Sequence, residues 1–330
     1  MTIQFRQPKA APSWQVWAGL WTVYLVWGST YVAIRVVVET IPPFLGAGAR
    51  FISAGLVMLL WLGYRRGWEH LRVSVPELGS SALVSTALLL GGNGVVTIAE
   101  QKGAPSSIAA LIIASVPLWV VLWRVAVRDR VGLGTLAGVI VGFSGVALLV
   151  ARRGGDGQAT TFALLLLVFA AGSWATGSFF SRKLPLPADP FVSTTMQMLT
   201  GGIIILATGI ASGERLSLSA VSGASLAGWL YLVFAGSILA FTAYVWLLQH
   251  APISRVATYA YVNPIVAIVL GSLILNEEIT VTMLVGAAVI VLSVAFIVRT
   301  ERVPQPQEEV GPVVAPRPID PTSEGGAAVR

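Results

Sequence analysis

The chain has 330 residues, 55% hydrophobic and 11% charged, with a mean hydropathy of +0.80, and no water-exposed globular surface can be built from that composition. A net charge of +6 and a pI near 10.0 would suit a nucleic-acid binder, but the basic residues are dispersed among turns and form no groove, so no nucleic-acid partner is expected. Cysteine is absent, which excludes disulfides and thiolate metal sites, and no metal or cofactor is expected.

Residues 1–13 show no small-residue cleavage pattern behind a short apolar core and read as a retained cytoplasmic segment. A hydrocarbon core about 30 Å thick takes roughly 20 apolar residues per helix. Ten stretches meet that need: 17–37, 44–64, 78–98, 105–125, 132–150, 161–181, 191–211, 226–247, 253–274 and 280–298. In the first, Trp17, Trp21, Tyr24, Gly28, Tyr31 and Arg35 alternate spacings of four and three, one helical face. Trp17 and Arg35 at its ends read as interface anchors, while Tyr24, Trp27 and Tyr31 lie deeper.

The second stretch holds Arg50, about 10 Å along the axis from Pro43, where an arginine is costly unless it faces a wet cavity or a partner. It can clamp an anionic solute group such as a carboxylate; equally, it can pair with Glu39 or Glu100, or snorkel to the surface. In the third stretch Thr86, Leu90, Asn93, Thr97 and Glu100 form one mostly polar stripe, and Gly91, Gly92 and Gly94 loosen the helix around Asn93. Cavity lining is the functional reading, and hydrogen bonding between close-packed helices the structural one. His70, in the turn before this stretch, and His250, in a later one, read as solvated loop residues.

Pro117 in the fourth stretch and Pro264 in the ninth each remove a helical hydrogen bond, giving matched kinks that can serve as hinges. Gly134, Gly138 and Gly142 in the fifth mark close helix contact, within the chain or across a homodimer. Trp174, Tyr244, Tyr259 and Tyr261 join the aromatics of the first stretch as a candidate pocket for a flat or amphipathic solute, with Gln197 and Asn263 as polar members. Residues 301–330, rich in Pro, Glu and Gly, read as a disordered cytoplasmic tail.

The chain repeats itself. Pro105 and Pro252, Pro117 and Pro264, Phe44 and Phe191, Arg50 and Gln197, and Gly55 and Gly202 are each 147 residues apart, while Leu136 and Leu284 are 148 apart. Residues 14–150 and 151–300 therefore form two copies of five spans, and an odd number forces the second copy to enter the membrane inverted. The Lys/Arg count agrees: Arg65, Arg66, Arg72, Arg124, Arg128, Arg130, Arg182, Lys183, Arg255 and Arg299 share one side, against Lys102, Arg152, Arg153 and Arg215. Positive-inside bias puts both termini in the cytoplasm and the Glu277–Glu278 turn outside. The expected fold is all-α, ten transmembrane helices as two inverted five-helix repeats in a plasma membrane, with the solute site between them.

Trp27-Gly28-Ser29-Thr30-Tyr31, Pro42-Pro43 with Arg50-Phe51, Gly92-Asn93-Gly94, Ala99-Glu100, Val116-Pro117 and Tyr259-Ala260-Tyr261-Val262-Asn263-Pro264 together resemble the EamA-type drug/metabolite transporters, nearest to YedA-like exporters. That resemblance implies a central cavity and export of amino acids or other small metabolites or drugs. The partners expected are a small-molecule solute and the lipid bilayer. A sugar-phosphate carrier would need more than one buried cation, and a scaffold would not need polar residues inside its spans. An intramembrane enzyme would need an Asp, His or Cys that the spans lack, so no enzyme is expected. No Walker-type phosphate loop occurs. Facilitated efflux, or proton exchange through Glu100 coupled to Arg50, are the two mechanisms in view.

Overall fold

The computed structural model describes residues 12–152, 159–181, 183–251, 253–256 and 258–300. The readings made for residues 1–11 and 301–330 lie outside them. Among the described residues there are only helices. The long ones are α1 (Ser13–Val37), α2 (Pro43–Arg66), α3 (Val75–Gln101), α4 (Ser106–Ala126), α5 (Leu133–Ala151), α6 (Thr161–Ser181), α7 (Pro190–Ala211), α8 (Gly223–Leu247), α9 (Tyr259–Leu275) and α10 (Val281–Thr300). Nine of these are long and apolar enough to cross a membrane, and α9 is a shorter apolar helix. Ile140, Phe169, Leu273 and Leu292 are each more than half exposed, the outward apolar belt that lipid requires and water forbids.

Helix starts are set by fixed φ and by carboxylates. Proline opens α2 and α7, where its missing N–H costs nothing. Glu214, beyond the end of α7, accepts from Phe44 N (3.1 Å) and Leu45 N (2.8 Å) and so caps α2. Glu277, beyond α9, accepts from Ser106 N (2.6 Å) and Ser107 N (3.0 Å) and caps α4. Each carboxylate satisfies orphan N–H groups at the positive end of a helix from the other copy. The Glu277 side chain thus turns into the protein, because the α4 terminus supplies donors that lie too far away in sequence to be anticipated.

At the opposite, basic end Asp189 caps α7 through Phe191 N (2.8 Å) and Val192 N (3.3 Å) and pairs with Arg66 and His70. His70 is therefore no plain solvated residue. His250 likewise stacks on Trp246 and pairs with its main-chain oxygen at 2.8 Å. Partial burial opposes charge on Asp189, but the hydrogen bond to His70, the two N–H groups and Arg66 outweigh it and hold the carboxyl below the usual range. Since the folded value lies below the unfolded one, this contribution is present above the ordinary aspartate range and lost as pH falls through the folded value. Asp189→Asn is expected to lower the thermal midpoint at neutral pH, with the gap to wild type closing below about pH 4; unfolding scans across pH in detergent check this.

Two glycine seams show the inversion. Along α2 and α7, Gly48 faces Leu206, Ile52 faces Gly202 and Gly55 faces Leu199, so the helices run antiparallel. Adding the 147-residue offset to Ile52 and Gly55 gives Leu199 and Gly202. The two contacts exchange, as a two-fold axis between the copies requires. Along α5 and α10, Gly138 faces Ile297, Gly142 faces Ser293, Gly145 faces Ile290 and Gly286 faces Leu149. The Gly138 and Gly142 contacts are thus made within the chain.

Two spans lose regular α geometry in matched places. Thr86–Gly94 of α3 and Leu232–Leu239 of α8 are π-helical, and the repeat offset superimposes them within two residues. The expected proline kinks are less symmetric. In α4 the helix breaks at Ala114–Ser115, just before Pro117, because the proline has no N–H to continue the ladder. Pro264 instead sits inside a continuous helix that begins at Tyr259, after a turn at Thr258.

Candidate functional site

Arg50 reaches from α2 to the π segment of α8. Its Nε donates to Ser237 Oγ at 2.8 Å, and the residue is 5% exposed, so snorkelling is excluded. Among the described residues it forms no ion pair, with Glu39, Glu100 or any other carboxylate. Beside it lies a void of about 10 Å³ lined by Ile34, Gly46, Ala47, Thr97, Trp229 and Leu232, room for about one water. A buried guanidinium without an anion is expensive; the void is water-sized, so a carboxylate reaches Arg50 only when α2 and α8 move apart, and it then supplies what the guanidinium lacks.

The π segments bring main-chain carbonyls into reach of side chains from the other copy. Trp27 Nε1 donates to Gly236 O at 3.1 Å. In the mirrored place Ser173 Oγ donates to Ala87 O at 2.8 Å, and Trp174 covers Gly92, where a Cβ would lie 2.7 Å from its ring. Trp27 and Trp174 are 147 residues apart, so the two tryptophans flank the two π segments in corresponding ways. Wide π turns of this kind recur at functional sites.

Several of the expected site residues come together. Trp27 packs against Tyr244 (5.1 Å between ring centroids) and Tyr259 (5.3 Å), with Phe241 beside them. Tyr24 pairs through its hydroxyl with Thr258. Asn263, almost buried, donates to Tyr24 O and Tyr259 O once its amide is oriented to satisfy its neighbours. Tyr31 and Tyr261 pack against a different core, that of α4, α5, α6 and α10. Asn93 shares a hydrogen bond with Thr97, which donates to its main-chain O at 2.9 Å, while Asn93 Oδ1 is buried without a partner.

Other expectations are corrected. Thr86 bonds back to Ala82 O and lies off the Arg50 void, because the π turns break the 3.6-residue stripe. Gln197 donates to Ser193 Oγ of its own helix and makes no hydrogen bond with Arg50. Arg35, taken for an interface anchor, reaches Glu100 O at 3.3 Å. Glu100 lies at a span end as expected, yet it is fully buried. Ser237 and Trp229 were missed, since nothing in a serine or an interfacial tryptophan announces a partner almost 190 positions away.

The two ends differ. At the acidic end α8 is tied to α1 and α2 by Ser225 Oγ to Val36 O (2.8 Å), Trp229 Nε1 to Gly46 O (2.9 Å) and Ser222 N to Thr40 Oγ1 (3.1 Å). Towards the basic end α1 and α8 stay packed, Gly19 against Leu247, and an open groove of about 500 Å³ lies between this pair and the start of α7, lined by Trp14, Ala18, Thr22, Phe191, Thr242 and Trp246.

Ten apolar helices in two inverted copies, locked by glycine seams around a buried unpaired cation, define a membrane transporter for small solutes. Residues 15–151 and 161–299 each match the EamA-like transporter family. Over 300 residues the chain is 32% identical to the uncharacterized inner membrane transporter YedA of Escherichia coli strain K12, spanning 91% of this chain and 95% of that one. It is 24% identical to a probable amino-acid metabolite efflux pump of Salmonella typhimurium, across 81% and 89% of the two chains. A crystal structure at 22% identity superimposes with a TM-score of 0.59, covering 88% of this chain and 100% of the other, which shows the shared fold. The chain belongs to the EamA-like transporter family, within the drug/metabolite transporters.

Proposed function

We propose that this chain exports amino acids or other small amphipathic metabolites bearing a carboxylate, by alternating access around Arg50. One observation carries the reading: a guanidinium buried between α2 and α8, held by Ser237 and facing a void, with no carboxylate of the described chain beside it. A single cation at the void suits one carboxylate rather than the phosphate of a sugar-phosphate carrier. The aromatic cluster of Trp27, Phe241, Tyr244 and Tyr259 supplies an apolar wall for the rest of the solute. The name given to the Salmonella relative supports the same class.

The basic end faces the cytoplasm in this reading, following the Lys/Arg excess. Solute enters by the groove between α7 and the packed α1–α8 pair, and the ties at the acidic end close the far side. Rearrangement of the two copies then opens that side, with Pro117 and Pro264 as the hinge positions. Proteoliposome counterflow with a panel of labelled amino acids and their carboxamides tests the proposal. Exchange is expected for acids and not for the matching amides; equal exchange of both removes the carboxylate clamp, and exchange of neither leaves a scaffold.

A further inference from the structure

Glu100 stands one turn beyond Thr97 on α3, at the acidic end, and is fully buried. Both its carboxyl oxygens are enclosed without a hydrogen-bond partner, and so is the hydroxyl of Ser106 close to Glu277. Arg35 gives its hydrogen bond to the Glu100 main-chain oxygen. Glu277, a second carboxylate within electrostatic reach, is already engaged by Ser106 N, Ser107 N and Ser107 Oγ. The groups facing Glu100 are thus Arg35 and Tyr31 from α1 and Glu277 from the α9–α10 turn, with Arg50 of α2 past Thr97 and Lys102 exposed beyond it on its own strand of chain. α6 contributes Leu164 and Leu167 to the apolar core that Ala99, next to Glu100 in the chain, also joins.

From this placement we propose that Glu100 is the proton-exchange site that couples solute export to proton entry. The assignment rests on the transport reading above and replaces facilitated efflux with exchange. Buried carboxyl groups in membrane proteins mark ion and proton pathways. A metal cation needs a shell of oxygens, whereas Glu100 offers two and those of Glu277 already serve three donors. A proton needs one oxygen and no extra room.

The step is a simple transfer. With the acidic end open, a proton from that solution forms an O–H bond on the Glu100 carboxylate. With the basic end open, that bond breaks and the proton leaves towards the cytoplasm while solute loads at Arg50.

The test uses the full chain in proteoliposomes, with labelled amino acids first in counterflow and then under an imposed pH gradient. Wild type is expected to show both, with one pH unit supporting up to about tenfold accumulation for one proton exchanged per neutral solute. Glu100→Gln, which keeps the side-chain shape, is expected to retain counterflow and lose gradient-driven accumulation; Glu77→Gln, at the exposed start of α3, retains both. Accumulation in Glu100→Gln, indifference of wild type to pH, or drive by a sodium gradient alone overturns the assignment. Loss of counterflow together with drive in Glu100→Gln makes the residue structural and overturns it too. No counterflow of any solute by wild type overturns the transport reading itself, and this inference with it.

Discussion

Arg50→Met is expected to lower transport of carboxylate solutes by about 10- to 100-fold while leaving the chain more stable. Both effects follow from one fact, that the guanidinium is buried with a serine hydroxyl and no anion among the described residues. Removing a charge-assisted hydrogen bond to the solute costs about 1.5–3 kcal/mol of binding. Removing an uncompensated buried charge from the empty protein relieves a desolvation penalty of about 1 kcal/mol or more. Methionine fills much of the same length without charge, so the folded state loses little packing. Counterflow rates and thermal midpoints measured on the same preparation separate the two effects. Arg50→Lys keeps the charge but not the planar fork that engages Ser237, and is expected to fall between. If Arg50→Met unfolds more readily than wild type, the arginine is a structural brace and the clamp is wrong.

Gly48→Ala is expected to be the most damaging small substitution in the molecule. A Cβ there would lie 2.7 Å from Leu206 N and 2.8 Å from Leu206 Cα. These are main-chain atoms, which cannot rotate aside, so α2 and α7 must separate. Overpacking of that kind costs about 1–3 kcal/mol, and because the seam lies on the two-fold between the copies it also displaces Arg50 two residues further on. Gly79→Ala, on the exposed start of α3 with nothing within 4 Å, is the control and is expected to be neutral or to stabilise by up to about 1 kcal/mol. Thermal unfolding in detergent compares them, and equal midpoints for the two variants would remove the seam argument.

What could be read from the chain was whatever is periodic or repeated. The ten apolar stretches, the 147-residue offset and the odd count of spans led to the inverted architecture without any contact being known. Arg50 stood out because a cation so far inside an apolar helix conflicts with its surroundings. Its neighbours did not, since Ser237 lies in an apolar run of α8 and pairing across that distance leaves no local trace. The same holds for Glu214 and Glu277, whose role as helix caps for the opposite copy leaves no local mark in the sequence. Gly91, Gly92 and Gly94 hinted at the irregular turn in α3. Its counterpart in α8 has Gly236 alone, and only the repeat offset could have pointed to it. The stripe from Thr86 to Glu100 misled at its near end because regular helical spacing was assumed through a segment where it fails.

That irregular segment also sets an angular phase. A π turn holds one residue more than an α turn, so Thr86–Gly94 retards the rotation of all that follows. Deleting one residue there would restore the tighter turn and swing the remainder of α3 about 100° around its axis. Thr97 would leave the Arg50 void and Glu100 would leave Arg35 at the same stroke, though neither residue had been changed. In α8 the segment 232–239 sets the orientation of Tyr244 in the same way. The two ends of the pathway are thus kept in step by chain length, and a single-codon deletion would uncouple them where point substitutions alter them one at a time.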